Sequence, residues 1–253
     1  MIVFMDNYMA SMIWMVIIFQ ISSFAQCSQL IDSGDVFYSK FLDQKAYGFY
    51  SKALETCPDY ESLMKTTRAL NDIGEDIGGK KGGSFFIRAL RYTDTMQYKY
   101  PDSLQSYFLK AAAAGNLALY KGGKTKVELA KTVESNAKKS ISIDSTYAPS
   151  HVILGVYYRQ VATAGNFQKS LARALYKQNL EGSLSDSERE LLKAIALDSQ
   201  NIFAHYELAQ TWHAMKRRNE AREQLKKTLT VPDNDNQAAK IKREAQEDLK
   251  HWK

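Results

Sequence analysis

An all-α solenoid of about five helix pairs, closed by a C-terminal capping helix, is the fold class this 253-residue chain predicts. Three observations carry it. Proline occurs only four times and long stretches keep a helical apolar period, which argues against a β-rich fold. The segment from Asn201 to Pro232 reads as a complete helix pair. Leu208, Ala209 and Trp212 place a large, a small and an aromatic residue along its first helix, Ala221, Leu225 and Thr228 continue on the second, and Pro232 closes it. The same slots then recur along the chain. Hydrophobic residues at 45% and aromatic residues at 11% supply the core such a stack needs.

Taken in order, residues 1–25 differ in kind from the rest. Met9 to Ile21 carries no charge, and Ser23 and Ala25 are small residues at the −3 and −1 positions of a signal-peptide cleavage site. Residues 1–25 are therefore expected to be a signal peptide, and 26–253 the repeat domain of an exported, periplasmic protein. No Lys or Arg precedes Lys40, unlike the positively charged start of most signals. That leaves an N-terminal membrane anchor as the alternative, although the run is shorter than the roughly 20 residues a spanning helix needs. Cys27 would open the first helix of a hairpin and Cys57 would end its second, so a disulfide between them is a candidate beside two unpaired thiols. Lipidation of Cys27 is disfavoured because the residue before it, Gln26, is not small.

The helix pairs have tetratricopeptide slots. The first runs from Cys27 to Pro58 with Gly34, Phe37, Ala46, Tyr50 and Ala53 in place. The second starts near Tyr60 and ends with Ala89, Thr93, Met96 and Pro101. Its two helices are expected to be separated by a flexible connection, Gly78 to Gly83. The third pairs Ser103–Tyr120 with Lys126–Ile143, capped by Asp102 or Ser103. The fourth has Leu154, Gly155 and Tyr158 on its first helix and Leu191, Ala194 and Asp198 on its second. About 20 extra residues intervene, with a short helix at Phe167–Tyr176. Ser185 and Glu188 read as the capping box of that second helix. The fifth pair is Asn201–Pro232, and a polar helix from Gln237 to Trp252 suits the cap.

The net charge of +6 is uneven: Leu104 to Leu180 holds 11 Lys/Arg against Glu128, Glu134 and Asp144, an excess of 11 − 3 = +8. Such a belt favours an anionic ligand, a lipid headgroup or an acidic partner over a neutral one. In a stack of this kind the first helix of each pair lines the inner surface. The candidate ligand-binding groove is therefore Phe108, Lys110 and Asn116 of the third pair, Val156 and Arg159 of the fourth, and Tyr206, Gln210 and His213 of the fifth. An aromatic wall with a few placed polar groups is how small-molecule sites are usually built. His205 and His213 have no third ligand at zinc-type spacing, so no metal is expected. Gly123-Lys124-Thr125 lacks the preceding glycine of a phosphate loop, because position 118 is Ala118. No local hydrolase signature is present and no nucleic-acid module accompanies the basic belt, so neither catalysis nor nucleic acid is expected, and no cofactor.

From about Ser103 onward the chain resembles the regulator of microtubule dynamics family. The resemblance lies in Tyr120–Val127, Ala137–Asp144, His151–Tyr158, Val161-Ala162, Arg173–Tyr176 of the insertion, and Gly182-Ser183-Leu184. It is also similar to the periplasmic tetratricopeptide component of TRAP-type transporters. The resemblance implies a tetratricopeptide-like fold and a non-catalytic scaffold whose partner is another envelope protein or peptide. The second similarity implies an alternative, a periplasmic binder of an apolar or anionic small molecule. Microtubule association belongs to eukaryotic members, whereas this N-terminus reads as bacterial. Membrane association is expected only through the N-terminal segment.

Overall fold

The computed structural model describes residues 25–176, 180–233 and 237–252, and these form twelve α-helices and no strand. The signal-peptide reading falls on residues that, but for Ala25, lie outside the described ones. The chain divides into two compact units, residues 1–69 and 70–253.

The first unit holds α1 (residues 25–38), α2 (Asp43–Thr56) and the first part of α3 (Tyr60–Ile77). Its core is Ile31, Ala46, Tyr50, Ala53 and Ala69, with Cys27 beside them. Cys27 and Cys57 form a disulfide across the open end of the α1–α2 hairpin, their Cα atoms 6.2 Å apart. Closing a loop of 30 residues stabilises the pair by about 3 kcal/mol. Inside the hairpin, Asp35 accepts from the Tyr50 hydroxyl at 2.7 Å and pairs with Lys65. Burial works to raise the Asp35 carboxyl, but the bonds from Lys65 and Tyr50 win and hold it below the usual range.

The second unit continues with α4 (Gly79–Lys99), α5 (Leu104–Ala118), α6 (Gly123–Ile143), α7 (Ala148–Ala162), α8 (Asn166–Tyr176), α9 (Leu184–Leu197), α10 (Ile202–Ala214), α11 (Arg218–Thr230) and α12 (Ala238–His251). From α4 on, each helix packs on its successor, except that α8 leans on α6 and leaves α7 to pair with α9. First helices also touch one another, α5 with α7 and α7 with α10, and α10 touches the capping helix α12. That double pattern is the nested packing of a tetratricopeptide-like stack, in which no pair buries its apolar faces alone. The largest core cluster joins Phe86, Leu117, Val133, Leu154 and Tyr157 across four consecutive helices of the second to fourth pairs.

Three local expectations change. Lys80 to Gly83 is not a flexible connection, because α4 begins at Gly79. Only Gly78 and Gly79 turn the chain, at φ +62° and +55°. Gly82 is instead a close-approach residue: a Cβ there would stand 2.3 Å from the Gly74 carbonyl oxygen. The capping box of α9 lies two residues earlier than Ser185 and Glu188. Ser183 Oγ accepts from the Asp186 N–H at 3.0 Å, and Asp186 Oδ2 accepts from the Ser183 N–H at 3.1 Å. Aspartate reaches back as glutamate does in the usual box. Helix α6 starts at Gly123, three residues ahead of the expected Lys126. Ser103 caps α5 and the insertion forms α8, both at the expected places.

Candidate functional site

The first helices α5, α7 and α10 carry all eight candidate groove residues, and every one of the eight is half-buried. Each reaches from its own helix toward an adjacent pair or the cap. The Phe108 ring meets Tyr147, at the start of α7, edge-on with centroids 5.2 Å apart. Asn116 donates to Glu75 of α3. Val156 packs against the cluster that contains Ala204 and Leu208 of α10. Arg159 forms an ion pair with Glu207 of α10. Burial pushes the Glu207 carboxyl above its usual range while the Arg159 guanidinium pulls it down.

The fifth pair repeats the arrangement one step along. Tyr206 and Gln210 both donate to Asp248 Oδ2 of α12, at 3.1 Å and 2.6 Å. Burial, then the nearby Asp248 charge, pushes the Tyr206 hydroxyl far above its ordinary value. His213 stacks flat on Trp252, centroids 3.8 Å apart and planes within 6°. Lys110 turns back toward the preceding pair, to Asp94 at 2.6 Å and Gln97 at 2.9 Å on α4. The two cations expected to attract an anion are thus each matched by a carboxylate of the chain itself. The structure brings the eight together as a row of contacts between neighbouring pairs.

Two histidines share a further feature. Asp-Ser-x5-His occurs at Asp144–His151 and again at Asp198–His205. In both copies the aspartate Oδ1 accepts the N–H two residues on, at 2.8 Å from Thr146 and 3.0 Å from Gln200. In both, the histidine Nε2 lies 3.0 Å from the serine carbonyl six residues earlier. The other nitrogen differs: His151 Nδ1 faces Glu190 of α9 at 2.7 Å, and His205 Nδ1 faces the Gln224 amide of α11 at 2.5 Å. The signal that could have found this motif was its recurrence at the same offset, 54 residues, as the Leu154/Leu208 slot.

Among the described residues no three His, Cys, Asp or Glu side chains stand together so as to hold a metal ion. A surface cleft of about 390 Å³ lies between the end of α3 and the start of α12, lined by Glu75, Asp76, Ile77, Lys240 and Arg243 among others. Gln237 donates across it to Asp76 at 2.6 Å. No helix of the described residues is long and apolar enough to cross a membrane.

The family model described as regulator of microtubule dynamics protein 1-3 matches residues 30–253. Regulator of microtubule dynamics protein 1 of Bos taurus is 23% identical over 153 residues, 60% of this chain and 48% of that protein. The chain therefore aligns with about half the length of that relative. Among solved structures, a thermophilic tetratricopeptide protein of Thermus thermophilus superposes with a TM-score of 0.65 at 20% identity, covering 87% of this chain and 98% of the other. At that identity the likeness is one of fold.

Proposed function

We propose, on the premise that the chain belongs to the regulator of microtubule dynamics family, that it is a non-catalytic scaffold of the bacterial envelope whose partner is another envelope protein or peptide. One observation carries the reading. The polar and aromatic side chains of the first helices are committed to neighbouring helices, so they build a braced surface rather than a set of free groups converging on a small substrate. A rigid face of stacked helices suits an extended or helical segment laid along it. The alternative, an apolar or anionic small molecule, is less well supported because Lys110 and Arg159 are already neutralised by Asp94 and Glu207. The cytoskeletal role in the bovine relative's name is not carried over.

Export is part of the proposal. The Cys27–Cys57 disulfide supports it, since such bridges persist in oxidising compartments, and the uncharged Met9–Ile21 run fits a signal. Site-specific photo-crosslinking in cells tests the whole reading. A crosslinker at Gln160, on the exposed end of α7, is expected to capture one recurrent envelope protein. The same probe at Lys193 on α9 is expected to capture none. Absence of a protein adduct at Gln160, together with a small molecule retained in native mass spectrometry, would favour the alternative. Intact mass of the fractionated protein reads cleavage after Ala25.

A further inference from the structure

We propose that the outer face of α4 and α6, the second helices of the second and third pairs, docks an acidic helical segment of a partner protein. This surface is separate from the first-helix row described above, and the proposal goes beyond the scaffold reading. The two helices are neighbours: Gln97 Nε2 donates to Asn136 Oδ1 at 2.7 Å, and Phe86 and Leu129 share one core. Each helix is 21 residues long and carries five Lys/Arg, so the pair holds ten bases against Asp94, Glu128 and Glu134. At 1.5 Å rise per residue the face runs for about 30 Å.

The distribution on α4 decides the matter. Helical period places Arg91 and Asp94 on one stripe with Ile87 and Tyr98, and Lys99 adjoins its end. All five are exposed, Tyr98 by 88%. The single acid of this helix, Asp94, is bound to Lys110 of α5. The face therefore presents an excess of positive charge that carboxylates from outside would complement. On α6, Glu128 pairs with Lys124, and Glu134 is shared by Lys131, Lys138 and the Tyr157 hydroxyl. Helix α9 is the internal contrast. Its second-helix position is the same, but it carries Asp186, Glu188 and Glu190 against only Arg189 and Lys193.

The residue types select a protein over other polyanions. Arginine and tyrosine are enriched at the centres of protein interfaces, where they carry much of the binding energy. The exposed Ile87 and Tyr98 supply apolar contact that a phosphate backbone would not use. The fitting occupant is a helix with Asp or Glu every three to four residues and an apolar residue between them.

The test uses the full chain and a synthetic helical peptide with Glu at i, i+3, i+4 and i+7, followed by fluorescence anisotropy at low salt. Binding is expected to weaken about tenfold in Arg91→Gln/Lys99→Gln and about fivefold in Tyr98→Ala. A charge-matched control, Lys226→Gln/Lys227→Gln on α11, is expected to keep the affinity within about twofold. Circular dichroism melts establish that each variant folds. No binding of the peptide, or equal loss in the control, overturns the proposal. So does binding to phosphatidylglycerol vesicles through the same residues when the acidic peptide is not bound. Because the readout involves neither crosslinking nor the first-helix row, its failure leaves the scaffold reading standing.

Discussion

The fourth and fifth helix pairs start from the same text and finish in different chemistry. Both open with Asp-Ser-x5-His, and both seat the histidine by the same carbonyl bond. In the fourth pair the second partner is a carboxylate, Glu190, so both nitrogens of His151 face acceptors. In the fifth pair the second partner is the side-chain amide nitrogen of Gln224, facing Nδ1. The same slot eight residues on holds Arg159 in one pair, bound to Glu207, and His213 in the other, stacked on Trp252. The close-approach slot is Gly155 in one and Ala209 in the other. One backbone arrangement thus tolerates a carboxylate or an amide partner, because backbone bonds position the ring and the helix beyond it only has to supply a matching atom.

Arg159→Ala should give the largest effect on that comparison. It leaves Glu207 buried without its cation and is expected to cost about 3–5 kcal/mol in urea unfolding, against about 1 kcal/mol for His213→Ala. Equal costs would mean that the two slots are energetically equivalent. Gly155→Leu follows, at about 3 kcal/mol, since a Cβ on Gly155 already stands 2.7 Å from Leu191 Cγ. Ala209→Gly should cost only about 1 kcal/mol, through backbone entropy. An unchanged melting temperature in Gly155→Leu would mean that α7 and α9 do not meet in this register.

The histidines come next. His151→Ala is expected to destabilise by about 2 kcal/mol and His205→Ala by about 1 kcal/mol, because only the first leaves a carboxylate behind. The pH dependence separates them further. The His151 bond, acting against burial and helped by Arg189, holds the Glu190 carboxyl below its ordinary 4.5. A lowered folded value means the contribution is complete above the unfolded value and lost as pH falls through the folded one. Acid unfolding of Glu190→Gln should therefore be flatter than that of the unmodified chain below about pH 4.5, with Gln224→Glu gaining the slope that Glu190→Gln loses. The helix starts also separate the two pairs, by a comparably small amount. Asn201 Oδ1 accepts from the Ala204 N–H at 2.9 Å, so Asn201→Ala should cost about 1 kcal/mol. Tyr147, its counterpart, makes no side-chain cap, so the fourth pair has no equivalent bond to lose.

Legibility followed the range of the interactions. Leu208, Ala209, Ala221 and Leu225 were readable as core because helical period alone decides which face is buried, and each is at most 1% exposed. The α9 cap lies two residues from the one the pattern suggests, because Ser183–Asp186 and Ser185–Glu188 carry the same local signature. Glu188 instead accepts from the Trp212 indole at 2.7 Å and from Arg217 at 2.6 Å, which no local pattern reveals. The candidate groove meets the same limit: helical period placed its residues on one face, but not their partners. Arg159 and Glu207 stand 48 residues apart, and Gln210 and Asp248 stand 38 apart.

Composition and periodicity determined by themselves that this chain is built of α-hairpins and which small residues let their helices touch. Those properties depend on residues within one or two turns of each other. Only the tertiary structure decided that Asn116, Arg159, Tyr206 and Gln210 brace adjacent pairs, and that Lys110 and the one acid of α4, Asp94, neutralise each other. A polar side chain takes whichever partner comes within about 3 Å, and that partner is set by how distant helices nest rather than by anything written beside it.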